Sequence, residues 1–173
     1  NLEDVLDAAR FRGVPSRRVF AGESFEAAGL HFEVLGPRRD PYPRAARNNG
    51  SVVLRTRLGA RRALFTGDAE KLAEGELLSA GGALAADLLK VGHHGSRTSS
   101  AEAFLAAVNP RLAFLGAGAT NRFGHPAPEV LERFAARGVR VLRTDLHGDF
   151  AIEIEGRRVR PLFAPHPTEG FAR

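Results

Sequence analysis

Apolar residues recur at Leu2, Val5, Leu6 and Ala9. That is the spacing of one helix face, so residues 2–11 are predicted to form a short helix, with Gly13 as its C-cap. Leu30, Phe32 and Val34 then alternate with polar residues across 30–35, the period of a half-buried strand. Residues 17–20 are read as a strand as well. Residues 36–49 are rich in Pro, Arg and Asn and are predicted to be a loop. Residues 51–58 and 62–66 flank Gly59-Ala60 as a hairpin. A helix over 69–80 follows and stops at Gly81-Gly82.

The second half alternates strands and helices. Residues 87–91 and 111–115 are continuous apolar runs of the kind buried on both faces. Between them lies a helix carrying Phe104, Leu105 and Val108, with Ser99 or Ser100 as its expected cap. Residues 116–125 form a loop. Pro126 or Pro128 opens the next helix and Gly138 closes it. Residues 139–143 are a strand, and 149–154 and 157–163 a terminal hairpin around Glu155-Gly156. A Pro-rich tail follows from 164. No repeat or internal linker is visible, so residues 1–163 are expected to be one α/β (α+β) domain with sheets layered on helices.

This order gives the polar residues a common address. Asp68 follows one apolar strand, His93 and His94 another and His125 a third, while Asp145 and His147 follow Val141. Loops at strand ends converge in α/β proteins, which is where ligands are met.

Composition narrows the chemistry. The 173 residues contain no Cys, so disulfides and thiolate metal sites are excluded. No run approaches the roughly 18 apolar residues of a membrane span. Met is absent and position 1 is Asn, so the chain is expected to be a piece of a longer polypeptide. The net charge is +5, with Lys71 and Lys90 the only lysines. Arginine forks phosphate where lysine does not, yet a GC-rich coding bias explains the same composition, and charge alone decides nothing.

Taken singly, the motifs are ambiguous. Asp68, in Phe65-Thr66-Gly67-Asp68, is placed to ligate a metal, but alone it reads better as a helix cap. Gly92-His93-His94-Gly95-Ser96 combines imidazoles with glycines that admit a close approach. Adjacent side chains on extended backbone diverge. One histidine is therefore expected to ligate and the other to hold substrate or support the first. Asn121-Arg122-Phe123-Gly124-His125-Pro126 sets an amide, a guanidinium and an imidazole ahead of a helix. Asn48-Asn49-Gly50 is a turn signal. His147 reads as a turn residue, Asp145 as a supporting carboxylate and His31 as a solvent-facing strand residue. His166 lies in the tail.

Together the motifs are more specific. Asn48-Asn49-x-Ser51, Thr66-Gly67-Asp68, Leu89-Lys90-Val91-x-His93-His94-Gly95-Ser96-x-Thr98-Ser99, Asn121 to Pro126, and Arg143-Thr144-Asp145 with Gly148 occur in this order. Over roughly residues 14–155 the chain resembles the C-terminal metallo-β-lactamase-like domain of the ComEC family of DNA-uptake proteins. The resemblance implies an αββα sandwich, incomplete on its N-terminal side. It implies a metal-dependent nuclease or phosphodiesterase that degrades the strand not imported. Two divalent ions, Mn²⁺ or Zn²⁺, are expected in the intact domain. Asp68 and His93 match metal ligands, and His94, His125 and Arg122 match catalytic positions. Ser96, Asn121 and Asn49 match substrate-binding positions. Expected partners are single-stranded DNA and the membrane-channel portion of the same longer polypeptide, at the inner membrane and on its extracytoplasmic face. The family's early His-x-His-x-Asp-His motif is absent here. Two rivals remain: a metal-free DNA-binding module beside the channel, and a hydrolase of small phosphodiesters.

Overall fold

The computed structural model describes residues 2–40, 42 and 44–164; the expected tail from 165 on, with His166, lies outside them. Helix α1 (Leu2–Phe11) leads to a seven-stranded mixed sheet. Its strands are β1 (Ser24–Ala27), β2 (Leu30–Gly36), β3 (Val53–Leu58), β4 (Arg61–Phe65), β5 (Leu88–Lys90), β6 (Leu112–Leu115) and β7 (Arg140–Arg143), side by side in chain order. The first four are antiparallel neighbours. From β4 to β7 the pairing is parallel. The crossovers run through α2 (Lys71–Ser79), α3 (Glu102–Val108) and α4 (Pro128–Ala136). A single turn, α5 (Thr144–His147), precedes the hairpin of β8 (Phe150–Glu155) and β9 (Arg158–Phe163).

Period-two alternation assigns each strand residue to a layer. Leu64, Leu89 and Ala113 are in register across β4, β5 and β6. They are buried with Ala73 and Leu77 of α2, Phe104 and Leu105 of α3, and Val130 and Phe134 of α4. The next register row, Ala63, Leu88 and Leu112, faces the other way. It packs with Leu142 against Phe150, Ile152, Ile154 and Val159 of the hairpin. The layers are thus helices, sheet and hairpin. Among the described residues no helix contributes to the second cluster. This mixed α/β arrangement agrees with the expected metallo-β-lactamase-like fold.

Two local expectations are corrected. Residues 17–20 form no strand. The free edge of β2 is taken instead by residues 22–27, through Gly22 N–H to Val34 O, Val34 N–H to Glu23 O and the β1 pairing. Nor do Ser99 and Ser100 cap α3 with their side chains, since that helix has no side-chain cap at its own N-cap residue. The acceptor is Glu74, buried on α2, which takes the amides of Ser100 (2.5 Å) and Ala101 (2.8 Å).

Burial pushes the Glu74 carboxyl above the ordinary glutamate value of 4.5, against those two amides and the charges of Arg133 and Lys71. The sign of the pH effect follows. A carboxyl raised in the folded state contributes stability that is fully present below 4.5 and is lost as pH rises through the folded value. Wild type is therefore expected to lose stability relative to Glu74→Gln as pH rises from 4 toward 8, read by denaturant unfolding. A difference independent of pH, or one of opposite slope, would refute it.

Candidate functional site

Five segments meet at the C-terminal ends of the parallel strands: 48–51, 66–70, 90–98, 116–125 and 143–147. They are laced together through the backbone. Past β4, Gly67 has φ +55°, and a Cβ there would stand 2.9 Å from Ser51 Cβ. This glycine lets Ser51 Oγ accept the Asp68 amide at 3.0 Å, which fixes the aspartate. Gly67 O in turn accepts the His93 amide at 3.1 Å, joining the β4 and β5 loops.

The two histidines do not sit on extended backbone. His93 (φ 45°, ψ 45°) and His94 (φ 53°, ψ 23°) are both left-handed. Such a conformation costs an L-residue roughly 1–2 kcal/mol, and two in succession persist only where the surroundings hold them. Those surroundings are visible. A Cβ on Gly92 would stand 2.8 Å from Ala69 O, and one on Gly95 only 2.6 Å from Pro126 Cβ. Ser99 Oγ donates to Gly92 O and Ser96 O, and Ala127 N–H donates to Gly95 O.

The turn aims the imidazoles at different partners. His94 Nδ1 lies 2.7 Å from Gly116 O. A carbonyl only accepts, so Nδ1 carries a proton and Nε2 is turned to the other side. That Nε2 lies 3.7 Å from Asp68 Oδ1. His93 Nδ1 lies 3.0 Å from Glu70 Oε1 and 3.5 Å from Asn48 Nδ2. Of the two expected metal ligands, Asp68 faces His94, and His93 faces Glu70.

Glu70 carried no signal beyond its place two residues after Asp68, and it is the hub that sequence reasoning missed. Its Oε1 also accepts from Thr98 Oγ1 (2.9 Å) and Asn48 Nδ2 (3.3 Å). Burial opposes its ionisation, but the bonds from Thr98 and Asn48 and the adjacent His93 outweigh burial and hold the carboxyl below its usual range. Ser51 and Lys90 stand in the quoted motifs but were given no role. Lys90 is half-buried at the end of β5, its Nζ 3.4 Å from Gly67 O and 3.2 Å from Val91 O. Burial lowers its pKa, and the nearby Asp68 charge works the other way.

The residues expected to bind substrate make bonds that hold the scaffold. Asn49 is buried, and its Oδ1 accepts the amides of Ala73 (2.8 Å) and Glu70 (3.3 Å), capping α2 from a distance. Ser96 is buried, its Oγ 3.0 Å from Thr98 Oγ1. Asn121 grips the backbone of His125, accepting its N–H at 3.1 Å and donating to its carbonyl at 2.8 Å. Asp145 takes a forked bond from Arg143, and His147 is bound to the Arg143 backbone, as a turn residue should be.

His125 and Arg122 behave differently. The His125 ring centroid is 5.5 Å from that of His93. Burial, with His93, His94 and Arg97 nearby, lowers its pKa and favours the neutral imidazole. Its Nδ1 is buried without a hydrogen-bond partner among the described residues. Arg122 is exposed, with no hydrogen bond or ion pair among them.

The donor chemistry suits a divalent ion: a carboxylate and an imidazole nitrogen face one another, and the opposite ring nitrogen is anchored, as in metal-ligating histidines. The number does not. A protein-held transition metal takes at least three such ligands, and no group of three or more His, Asp or Glu among the described residues could hold one. Asp68 and His94 form at most one side of a metal centre.

Comparison with known proteins gives the family. The chain is 40% identical over 155 residues to ComE operon protein 3 of Bacillus subtilis, covering 90% of this chain and 20% of that protein. It is 37% identical over 149 residues to Competence protein ComA of Neisseria gonorrhoeae, covering 78% and 21%. It is 34% identical over 150 residues to Recombination protein 2 of Haemophilus influenzae, covering 84% and 18%. The chain therefore spans about a fifth of the length of the relatives it matches. Residues 3–119, which carry α1, the sheet through β6 and the Asp68 and His93-His94 loops, match the metallo-beta-lactamase superfamily profile. By that match, which takes in more than half of its residues, the chain belongs to the metallo-beta-lactamase superfamily.

Proposed function

We propose that this domain is the phosphodiester-hydrolysing part of a DNA-uptake protein, acting on single-stranded DNA. The observation that carries the reading is the left-handed His93-His94 turn, which lets both rings be held by Nδ1 and sets His94 Nε2 against Asp68. A divalent metal, Mn²⁺ or Zn²⁺, would supply an activated water and charge stabilisation when bound.

This chain's own contribution is orientation. Asp68 and His94 offer one carboxylate and one imidazole donor. Glu70 and Gly116 O hold the histidine rings by Nδ1. Arg122, with no competing carboxylate, meets a phosphate oxygen through its fork. Neutral His125 stands beside His93 and can accept a proton from the attacking water. Hydrolysis of a backbone needs no base-edge reading, and no base-reading motif is present. In this reading the domain belongs to an inner-membrane protein and works on the extracytoplasmic face beside the channel portion. No helix of the described residues is long and apolar enough to cross a membrane.

The shortage of metal donors favours a second reading, a metal-free module that holds DNA. End-labelled single-stranded DNA incubated with the chain and Mn²⁺, Zn²⁺ or chelator separates the two. Cleavage that appears with metal and vanishes with chelator supports the hydrolase. Salt-sensitive binding without cleavage, surviving Asp68→Ala, supports the module.

A further inference from the structure

We propose that Phe123 is a stacking platform for an unpaired nucleobase next to the phosphate-binding residues. The proposal rests on the phosphodiester reading of the site and adds what flanks the phosphate. Phe123 is 75% exposed. Single exposed apolar residues are common; what distinguishes this one is its setting. Its ring lies nearly parallel to that of His125, with centroids 6.1 Å apart and 17° between planes. His125 adjoins His93 in turn, at 5.5 Å, so aromatic faces lead from the site to solvent.

Beside Phe123 opens a cavity of about 400 Å³, lined by His94, His125, Phe123 and the small residues Gly116 to Gly118. It can admit a flat ring. Its geometry is held by Asn121, whose carboxamide bonds Gly118 O and both backbone groups of His125. Arg122 beside it is unpaired among the described residues, while Arg97, also near His125, pairs with Glu129 at 3.6 Å. A planar apolar group attached to a phosphate fits these features, and a nucleotide of a single strand is that chemistry. A base inside a duplex has no free face to offer. Stacking of this kind tolerates any base.

The chain contains no Trp, so Phe123→Trp provides one emitter at the proposed contact. The 173-residue chain is titrated without metal against a dT oligonucleotide and an abasic oligonucleotide of equal length. Expected are saturable quenching by the first and none by the second. Phe123→Ala should weaken dT-oligonucleotide affinity, read by anisotropy, roughly 5- to 150-fold and leave the abasic affinity unchanged. Phe123→Leu, apolar without a π face, should behave like Ala.

Equal quenching by both oligonucleotides, wild-type affinity in Phe123→Ala, rescue by Leu, or no binding of either oligonucleotide would overturn the proposal. Failure of the hydrolase reading looks different: base-dependent quenching would persist while no metal restored cleavage.

Discussion

Gly95→Ala should destabilise the fold by about 2–5 kcal/mol, the largest loss expected from adding one methyl group to this chain. Two terms contribute. Gly95 has φ +81°, and forcing an L-residue into the left-handed region costs roughly 1–2 kcal/mol. The new Cβ would also stand 2.6 Å from Pro126 Cβ and 3.1 Å from Pro126 Cα. The second of these is backbone and cannot swing aside, and overpacking of that kind costs about 1–3 kcal/mol. Gly138→Ala isolates the first term: its φ is +66°, with nothing within 4 Å of the added atom. At roughly 2–4 °C per kcal/mol for a domain of this size, the melting temperature should fall about twice as far for Gly95 as for Gly138. Equal shifts by calorimetry would mean that the turn yields to Pro126 and is not held by it.

The second large effect concerns activity. In the hydrolase reading, Asp68→Asn removes the carboxylate facing His94 while its amide still bonds Ser51 Oγ. Cleavage of single-stranded DNA with Mn²⁺ is expected to fall by at least roughly 10²-fold, the scale of losing one preorganised electrostatic group, with the melting temperature nearly unchanged. Glu70→Gln should fall less, because the ring it holds, His93, is not the one that faces Asp68. It loosens the His93 ring without removing a donor. Glu70→Gln matching Asp68→Asn in cleavage, or either variant cleaving like wild type, would refute these assignments.

Much of this was legible in the sequence, and the lapses have physical causes. The period of Leu2, Val5, Leu6 and Ala9 located α1, and Gly59-Ala60 located the β3–β4 hairpin. The run Leu88 to Val91 placed a strand end where the histidines begin. What periodicity cannot show is which of two apolar segments wins a sheet edge. Residues 17–20 and 24–27 both compete for β2, and the tight turn at Ala28-Gly29 decides by bringing Phe25 opposite Phe32. Nor can it show a cap supplied from another element. Asn49 on α2 and Glu74 ahead of α3 act across 24 and 26 residues of sequence. Which side chains touch within the site was not legible, for a local reason. Alternation on extended backbone was expected for His93 and His94, whereas the left-handed turn rotates both rings and gives Asp68 to His94 and Glu70 to His93.

The amides that join the loops also govern how the site is lost. His93 bonds Gly67, Lys71 bonds Thr98 and Ala127 bonds Gly95, so no loop can detach without breaking a bond to its neighbour. Residues that would otherwise fray independently are thereby drawn into the cooperative unit of the parallel strands. The lifetime of the working geometry is then the lifetime of the sheet. Substitutions in the strands that slow unfolding should prolong competence during heating as effectively as changes beside the histidines, and a ligand arriving at the strand ends meets a surface already in place.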